Sequence, residues 1–375
     1  MKQVVISGSG LFTPPHSISN EALVESFNAY VDMFNLENAG LIEQGHVEPL
    51  SYSSSEFIEK ASGIKHRYVM VKDGILDPEI MMPLIPERSS DELSMQAEIG
   101  VEAAVMALKQ ADVKAEQIDL VIVACAYTQR AYPAMAIEIQ RALGTRGYGY
   151  GYDMQVACSS ATFAIVAAAN AIATGSASRV LVINPEICSA QVNYRDRDSH
   201  FIFGDVATAM VLEEQSLVAA NKGFNIVSSR CFTDYSNNIR SNFGFLNRCD
   251  PSSAHQADKL FHQQGRKVFK ELLPMIYQHL DEHLAEQSLT PQSFKRLWLH
   301  QANINMNQFV VKKLLGDEVT PEQAPVVLDE YANTASAGSV IAFHKYSADF
   351  NAGDLGLLSS FGAGYSIGSV ILQKR

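Results

Sequence analysis

Three residues of this chain carry side chains that can act together on an activated carbonyl: Cys158, His300 and Asn333. Cys158 lies in Tyr152-Asp153-Met154-Gln155-Val156-Ala157-Cys158-Ser159-Ser160-Ala161-Thr162-Phe163, where a short strand running into Ala157 gives way to a small-residue helix from Thr162. The N–H groups of a helix start favour thiolate over thiol. They are expected to draw the pKa of Cys158 down from about 8.5 towards neutrality. A thiolate attacks a carbonyl carbon and holds the acyl group; a buried packing cysteine is the plainer reading. A neutral imidazole and a carboxamide both donate hydrogen bonds to a developing oxyanion or enolate. Asn333 is never a base, so it orients or donates. The run Phe361-Gly362-Ala363-Gly364-Tyr365 offers backbone that can approach a ligand closely.

An internal repeat supplies the elements that position these residues. Val113, Ile118, Val121 and Val123 match Leu289, Phe294, Leu297 and Leu299, each pair 176 positions apart. The same offset takes Asp153 to Asp329, Cys158 to Thr334, and Leu181-Val182 to Leu357-Leu358. Gly204 pairs with Gly364 at 160, so the first half carries an extra loop of 16 residues, the difference between the offsets, between about Cys188 and Phe203. Helix, strand, strand, helix, strand in both halves implies a duplicated α/β unit. The expected division is 1–215, holding Cys158, and 216–375, holding His300 and Asn333. His300 becomes the counterpart of Ala124 and Asn333 of Ala157, all at strand ends facing one central cleft. Within the first half, about 21–55 reads as an insertion with helical apolar spacing at Leu23, Phe27, Val31 and Phe34, and Ser53-Ser54-Ser55-Glu56 as a helix cap. Asp73 to Pro86 reads as loop, Ser90-Asp91-Glu92 as the start of a helix to about Gln110, and Asp119 to Ala126 as a buried strand.

The chain has 375 residues, 47% hydrophobic, with a formal net charge of -12. That charge disfavours a nucleic-acid binder or a protein held on an anionic membrane. The cysteines at 125, 158, 188, 231 and 249 are odd in number and lack C-x-x-C spacing, which points to a reduced compartment without a disulfide framework. Met1 to Gly10 reads as a first strand, too briefly apolar for a signal peptide, and Phe163–Ile172 as too short to span a bilayer. A soluble cytoplasmic protein is expected.

In order along the chain, Ser62-Gly63-Ile64, Ala157-Cys158-Ser159, Ile202-Phe203-Gly204-Asp205, His300-Gln301-Ala302-Asn303, Asn333-Thr334 and Phe361-Gly362-Ala363-Gly364 resemble the β-ketoacyl-acyl-carrier-protein synthase III family of thiolase-fold condensing enzymes. The resemblance implies a thiolase-like α/β fold with layers α-β-α-β-α. It implies an acyltransferase of fatty acid biosynthesis that needs no cofactor, coenzyme A thioester being a substrate. Cys158 would accept an acyl group from acyl-CoA. His300 and Asn333 would stabilise the enolate formed as malonyl-acyl-carrier protein loses carbon dioxide. The N–H groups of Cys158 and Ala363 would form the oxyanion hole. Phe57, Arg197, Phe203 and Phe361 would line the CoA and acyl pocket, and Tyr132 would reach across a homodimer to limit it. Lys312 and Lys313 would face the acidic carrier protein. Where the family has arginines this chain has Ala61, beside Lys60, and Asn305. The length of the 21–55 stretch resembles a subgroup using medium-chain primers, octanoyl among them. A ketosynthase of specialised metabolism making quinolone, resorcinol or polyene lipids is the alternative within the fold.

Cys, His, Asn is also the order in papain-like hydrolases, but their nucleophile sits near the mature N-terminus. A silent partner of an active homologue would be expected to lack one of the three residues. His279-Leu280-Asp281-Glu282-His283 matches a zinc pattern, but both histidines read as the solvated edge of an amphipathic helix, and no metal site is expected. Gly8-Ser9-Gly10 reads as a tight turn. Cys125, Cys188, Cys231 and Cys249 read as packing or loop thiols, and His344 as packing on or capping a helix.

Overall fold

The computed structural model describes residues 2–145, 147–242, 252, 256–317 and 319–375; Cys249 lies outside them. The first half runs β1 (Val4–Phe12), β2 (His16–Ser19), α1 (Asn20–Glu37), α2 (Ala39–Glu43), α3 (Ser55–Ser62), β3 (His66–Val69), α4 (Met95–Ala111), β4 (Leu120–Ala124), α5 (Met135–Leu143), β5 (Tyr150–Met154), α6 (Ser160–Thr174), β6 (Arg179–Ile187) and β7 (Asp205–Glu214). The second runs β8 (Phe224–Ser236), β9 (Ile239–Ser241), β10 (Phe261–Gln263), α7 (Gly265–Glu286), β11 (Phe294–Leu299), α8 (Ile304–Leu315), α9 (Leu328–Tyr331), α10 (Gly338–Lys345), β12 (Leu355–Gly362) and β13 (Gly364–Lys374).

The strands of the main ladder lie in the order β11-β12-β13-β8-β1-β7-β6-β4-β5. Outward from the β8–β1 joint, the first four strands of each half follow the same order; β5 has no counterpart among the described residues, and the helix α9 stands in its place. The joint itself is slight, pairing only Val5 with Asn225 and Ile6 with Phe224. Side chains alternate between two cores, as a sheet buried on both faces requires. Leu120, Ile122, Val180 and Val182 enter a central cluster with α6 and α10. Val121, Val123, Leu181 and Ile183 face an outer cluster with α4 and α5. In the second half Leu297, Leu299 and Leu357 face an outer cluster with α7 and α8. α6 touches β4, β6 and β7 of one half and β8, β12 and β13 of the other. The layers are therefore α-β-α-β-α. The run Ala157–Thr174 is long and apolar enough by composition to cross a membrane, longer than the sequence reading allowed, and here forms this central helix.

The register repeats as the offsets require. Val121 pairs with Leu181 and Ile122 with Val182; Leu297 pairs with Leu357 and Trp298 with Leu358. Leu181 pairs with Val211 and Val182 with Met210; Leu357 pairs with Ile371 and Leu358 with Val370. Those last partners, 211 and 371, 210 and 370, are 160 apart. At the elbows the offset changes. Ala157 and Ala335 both have positive φ, 45° and 46°. Each opens a three-residue 3-10 turn that runs into a helix, so the elbows correspond at 178. Cys158 therefore corresponds to Ser336, not Thr334, and Asn333 to Gln155, not Ala157.

Gly8 and Gly10 are not a turn. Both lie within β1, where a Cβ would meet Ala107 O at 2.5 Å and Ala103 O at 2.1 Å; glycine lets α4 lie directly on the strand. α4 begins at Met95 under a Ser94 cap, several residues later than Ser90. α3 starts under Ser54 as expected.

Candidate active site

Cys158 sits in the 3-10 turn Ala157–Ser159, between β5 and α6. Ser160 Oγ accepts the Val156 N–H at 2.7 Å and donates to Ala157 O at 2.8 Å, which fixes the turn. Gly362, at the end of β12, closes over the thiol. A Cβ there would stand 2.7 Å from Cys158 Cβ and 3.0 Å from Sγ. Burial pushes the thiol pKa up to about 12, and the nearby Glu186 carboxylate pushes the same way; the N–H groups of Ala363 and Cys158 itself oppose them. The thiol is therefore protonated at neutral pH, against the expectation of a lowered pKa. A helix start contributes only part of a charge, and burial of a thiolate outweighs it.

His300 follows β11, its N–H donating to Ser359 O at 2.8 Å. Its ring meets Phe361 edge-on at 5.4 Å and 89°. Burial lowers its pKa to about 4, so the imidazole is neutral. Nδ1 is buried without a hydrogen-bond partner among the described residues. Asn333 is held by its backbone: its N–H donates to Ile202 O at 3.0 Å and its carbonyl accepts the Gly204 N–H at 3.1 Å. Its Oδ1 accepts the Ala335 N–H at 2.9 Å, leaving Nδ2 as the donating end. In a papain-like site the carboxamide oxygen would orient the histidine; here it is spent on Ala335.

Cys158, His300, Asn333, Phe203 and Phe361 line one cavity of about 200 Å³. The rest of the cavity wall, which no sequence motif marks, includes Ile239, Phe261, Val268 and Phe269, from β9, β10 and the start of α7. Phe203 stacks edge-on with Phe261 at 4.7 Å, joining the two sides. Glu186 carried no sequence signal, and Gln301 was marked only as part of the His-Gln-Ala-Asn run. Glu186 is fully buried near the thiol, with burial raising its pKa to about 7. Gln301 Oε1 accepts the N–H groups of Val327 and Leu328, and its Nε2 donates to Leu299 O.

Phe57, Arg197, Tyr132, Lys312 and Lys313 lie apart from the cavity, which Asn303 helps to line. Arg197 lies over the Phe57 ring at 3.9 Å and its Nε donates to Tyr52 O at 2.7 Å. Tyr132 is 81% exposed. On α8, Lys312 pairs with Asp317 at 2.6 Å and Lys313 lies near the Phe309 ring. Asn303 Nδ2 and Asn305 Nδ2 both reach Ala61 O, and Asn305 also Lys60 O, so these asparagines tie α8 to α3. The zinc-like histidines are not solvated. His279 is 4% and His283 0% exposed, and both bond Ser369 Oγ, at 2.9 and 2.7 Å. No cluster of three metal-ligating side chains occurs among the described residues. Cys125 and Cys188 are buried, Cys231 is exposed, and His344 Nδ1 bonds Ser9 Oγ at 2.8 Å.

Comparison with known proteins gives the family. Residues 152–235 match the family described as 3-oxoacyl-[acyl-carrier-protein (ACP)] synthase III, and residues 284–374 match its C-terminal part. A β-ketodecanoyl-[acyl-carrier-protein] synthase of Pseudomonas aeruginosa is 57% identical over 94% of this chain and 100% of its own length. A β-ketoacyl-[acyl-carrier-protein] synthase III of Methylococcus capsulatus is 30% identical over 86% of this chain and 91% of its own. The crystal structure of the Aquifex aeolicus synthase III superposes with a TM-score of 0.76 at 24% identity, covering 99% of both chains, a likeness of fold. So does Xanthomonas campestris OleA with lauric acid and lauroyl-CoA, at 0.76 and 16% over 99% of each. Aligned along the whole of the Pseudomonas relative with more than half its residues shared, this chain belongs to the 3-oxoacyl-[acyl-carrier-protein] synthase III family, acyltransferases that act as condensing enzymes.

Proposed function

We propose that the enzyme condenses a medium-chain acyl-CoA, octanoyl-CoA by first choice, with malonyl-acyl-carrier protein. The observation that carries this reading is the convergence of Cys158, His300 and Asn333 on one cavity. In the first step Cys158 Sγ attacks the thioester carbonyl. The C–S bond to coenzyme A breaks, and the thiol proton leaves with coenzyme A. The N–H groups of Cys158 and Ala363 hold the tetrahedral oxyanion, each donor worth about 3–4 kcal/mol. In the second step malonyl loses carbon dioxide. Neutral His300 and Asn333 Nδ2 donate to the carbonyl that becomes the enolate oxygen. The enolate carbon attacks the acyl carbonyl, Cys158 leaves, and a solvent proton restores the thiol. A neutral imidazole suits this task, because it donates without carrying a charge that would have to be buried.

The primer length follows from the relative's name: a ten-carbon β-ketoacyl product less two malonyl carbons leaves eight. Phe57 and Arg197 take the nucleotide end of coenzyme A, Lys312 and Lys313 the acidic carrier protein, and Tyr132 a second copy of the chain in a homodimer. The proposed setting is the cytoplasm, and no cofactor is required. Intact-mass measurement after exposure to acyl-CoA esters of increasing length tests the reading. The adduct should map to Cys158 and form fastest with octanoyl; absence of any adduct would sink it. His300→Ala should still acylate but release no carbon dioxide from malonyl-carrier protein. The reverse pattern would overturn the assigned roles.

A further inference from the structure

The corresponding elbows build a second constellation. Ser336 stands where Cys158 stands, at an offset of 178, and the strand registers set Ala124 against His300 and Glu186 against Gly362, both at 176. These mirror residues are in contact. Ser336 Oγ lies 2.5 Å from the Glu186 carboxylate and 3.2 Å from Ala124 O, and the Ser336 N–H donates to the same carboxylate at 3.2 Å. The Ala126 N–H donates to both its oxygens, at 3.0 and 3.1 Å. Ser336 and Glu186 are both 0% exposed, so no substrate reaches them. Every hydrogen-bond partner of Glu186 among the described residues is a donor, including the Cys188 thiol at 3.7 Å. The pocket is built for an acceptor.

We propose that this mirror constellation is a brace, and that Glu186 is a positioning residue for the decarboxylating half of the site, acting on Asn333 through Ser336. The inference rests on the condensing reading above. The path is one residue long. Asn333 Oδ1 is pinned by the Ala335 N–H, and the next residue, Ser336, is fixed to Glu186 by two hydrogen bonds. Glu186 belongs to β6, so the hold crosses from the first half to the second. The turn of Cys158 has holds that bypass Ser336. Ser160 Oγ reaches Val156 N and Cys125 O, and Ser159 Oγ donates to Ser366 O at 3.0 Å. Loss of the brace therefore relaxes Asn333 and leaves the nucleophile in place.

Ser336→Ala, Glu186→Gln and Glu186→Asp test this in the full chain. Three quantities are compared with wild type: octanoyl-CoA acylation of Cys158, carbon dioxide release from malonyl-carrier protein by the pre-acylated enzyme, and amide hydrogen exchange over 333–337. In Ser336→Ala and Glu186→Gln, acylation should stay within about twofold or quicken while carbon dioxide release falls roughly tenfold to hundredfold, the cost of a small misplacement. Exchange over 333–337 should quicken, and Glu186→Asp should recover part of both. Both steps falling together, or neither changing with exchange unaltered, overturns the brace. Should Glu186→Gln not fold, Ser336→Ala decides. Should wild type acylate without releasing carbon dioxide, the condensing reading fails, and exchange over 333–337 alone judges the brace.

Discussion

Cys158 shows how one residue can be legible in type and not in state. Its place before a small-residue helix was readable, and so was that of His300 after a strand; Asn333 was expected at a strand end, but it follows the short helix α9 and makes only an isolated bridge to Phe203. The protonation state was not readable. It depends on what surrounds the sulfur, and Gly362 and Glu186 come from β12 and β6, far away in sequence. Burial and a neighbouring carboxylate outweigh the N–H groups of the turn. Alkylation of Cys158 by iodoacetamide, which consumes thiolate, should therefore keep rising with pH past about 9, beyond the ordinary cysteine value of about 8.5. Glu186→Gln removes the adjacent negative charge, so its alkylation should be faster at neutral pH. A plateau near neutrality in wild type would mean that the helix start governs after all. Glu186 itself escaped detection because one acid closing an apolar strand looks like any strand end.

At the scale of elements, β-register was the most legible feature. Strand pairing transmits a sequence offset without slippage, since a one-residue shift would turn every side chain to the wrong face. Turns have no such constraint, and the two-residue change at the elbows passed unnoticed. The insertion was legible as a helix but not as a positioning device. Asn28 exchanges two hydrogen bonds with the Ser53 backbone, at 3.1 and 2.9 Å, and Asn35 two with Leu50, at 3.0 and 2.9 Å. Seven residues apart, they lie on one face of α1 and clamp the extended segment that carries Tyr52. Tyr52 O in turn holds Arg197 over Phe57. The double change Asn28→Ala, Asn35→Ala should loosen that segment and raise KM for octanoyl-CoA several-fold with kcat nearly unchanged. An equal loss in kcat would show that the insertion acts on the chemistry rather than on binding.

For the whole molecule, the buried titratable groups set a stability that depends on pH. Burial lowers His200, His279 and His300 to about 4, and lowers His283 and His344 as well. In the unfolded chain each returns to about 6.5 and takes up a proton below that value. Burial works in the opposite sense on acids, raising Glu186 to about 7 and Asp205 to about 6, so these bind protons in the folded state first. Near pH 5.5 the unfolded chain carries protons on most of these histidines, while in the folded chain His200, His279 and His300 stay neutral and about two protons sit on the acids. Unfolding therefore takes up protons, and stability falls as pH drops from about 6.5 towards 4. Calorimetry should find Tm lower at pH 5.5 than at pH 7.5 by roughly 2–5 °C, since a chain of 375 residues shifts Tm by only about 1–2 °C per kcal/mol. His279→Gln removes one of the five groups while leaving a donor for Ser369, so its Tm should depend less steeply on pH. A Tm that rises on acidification would mean that Glu186 and Asp205 outweigh the histidines.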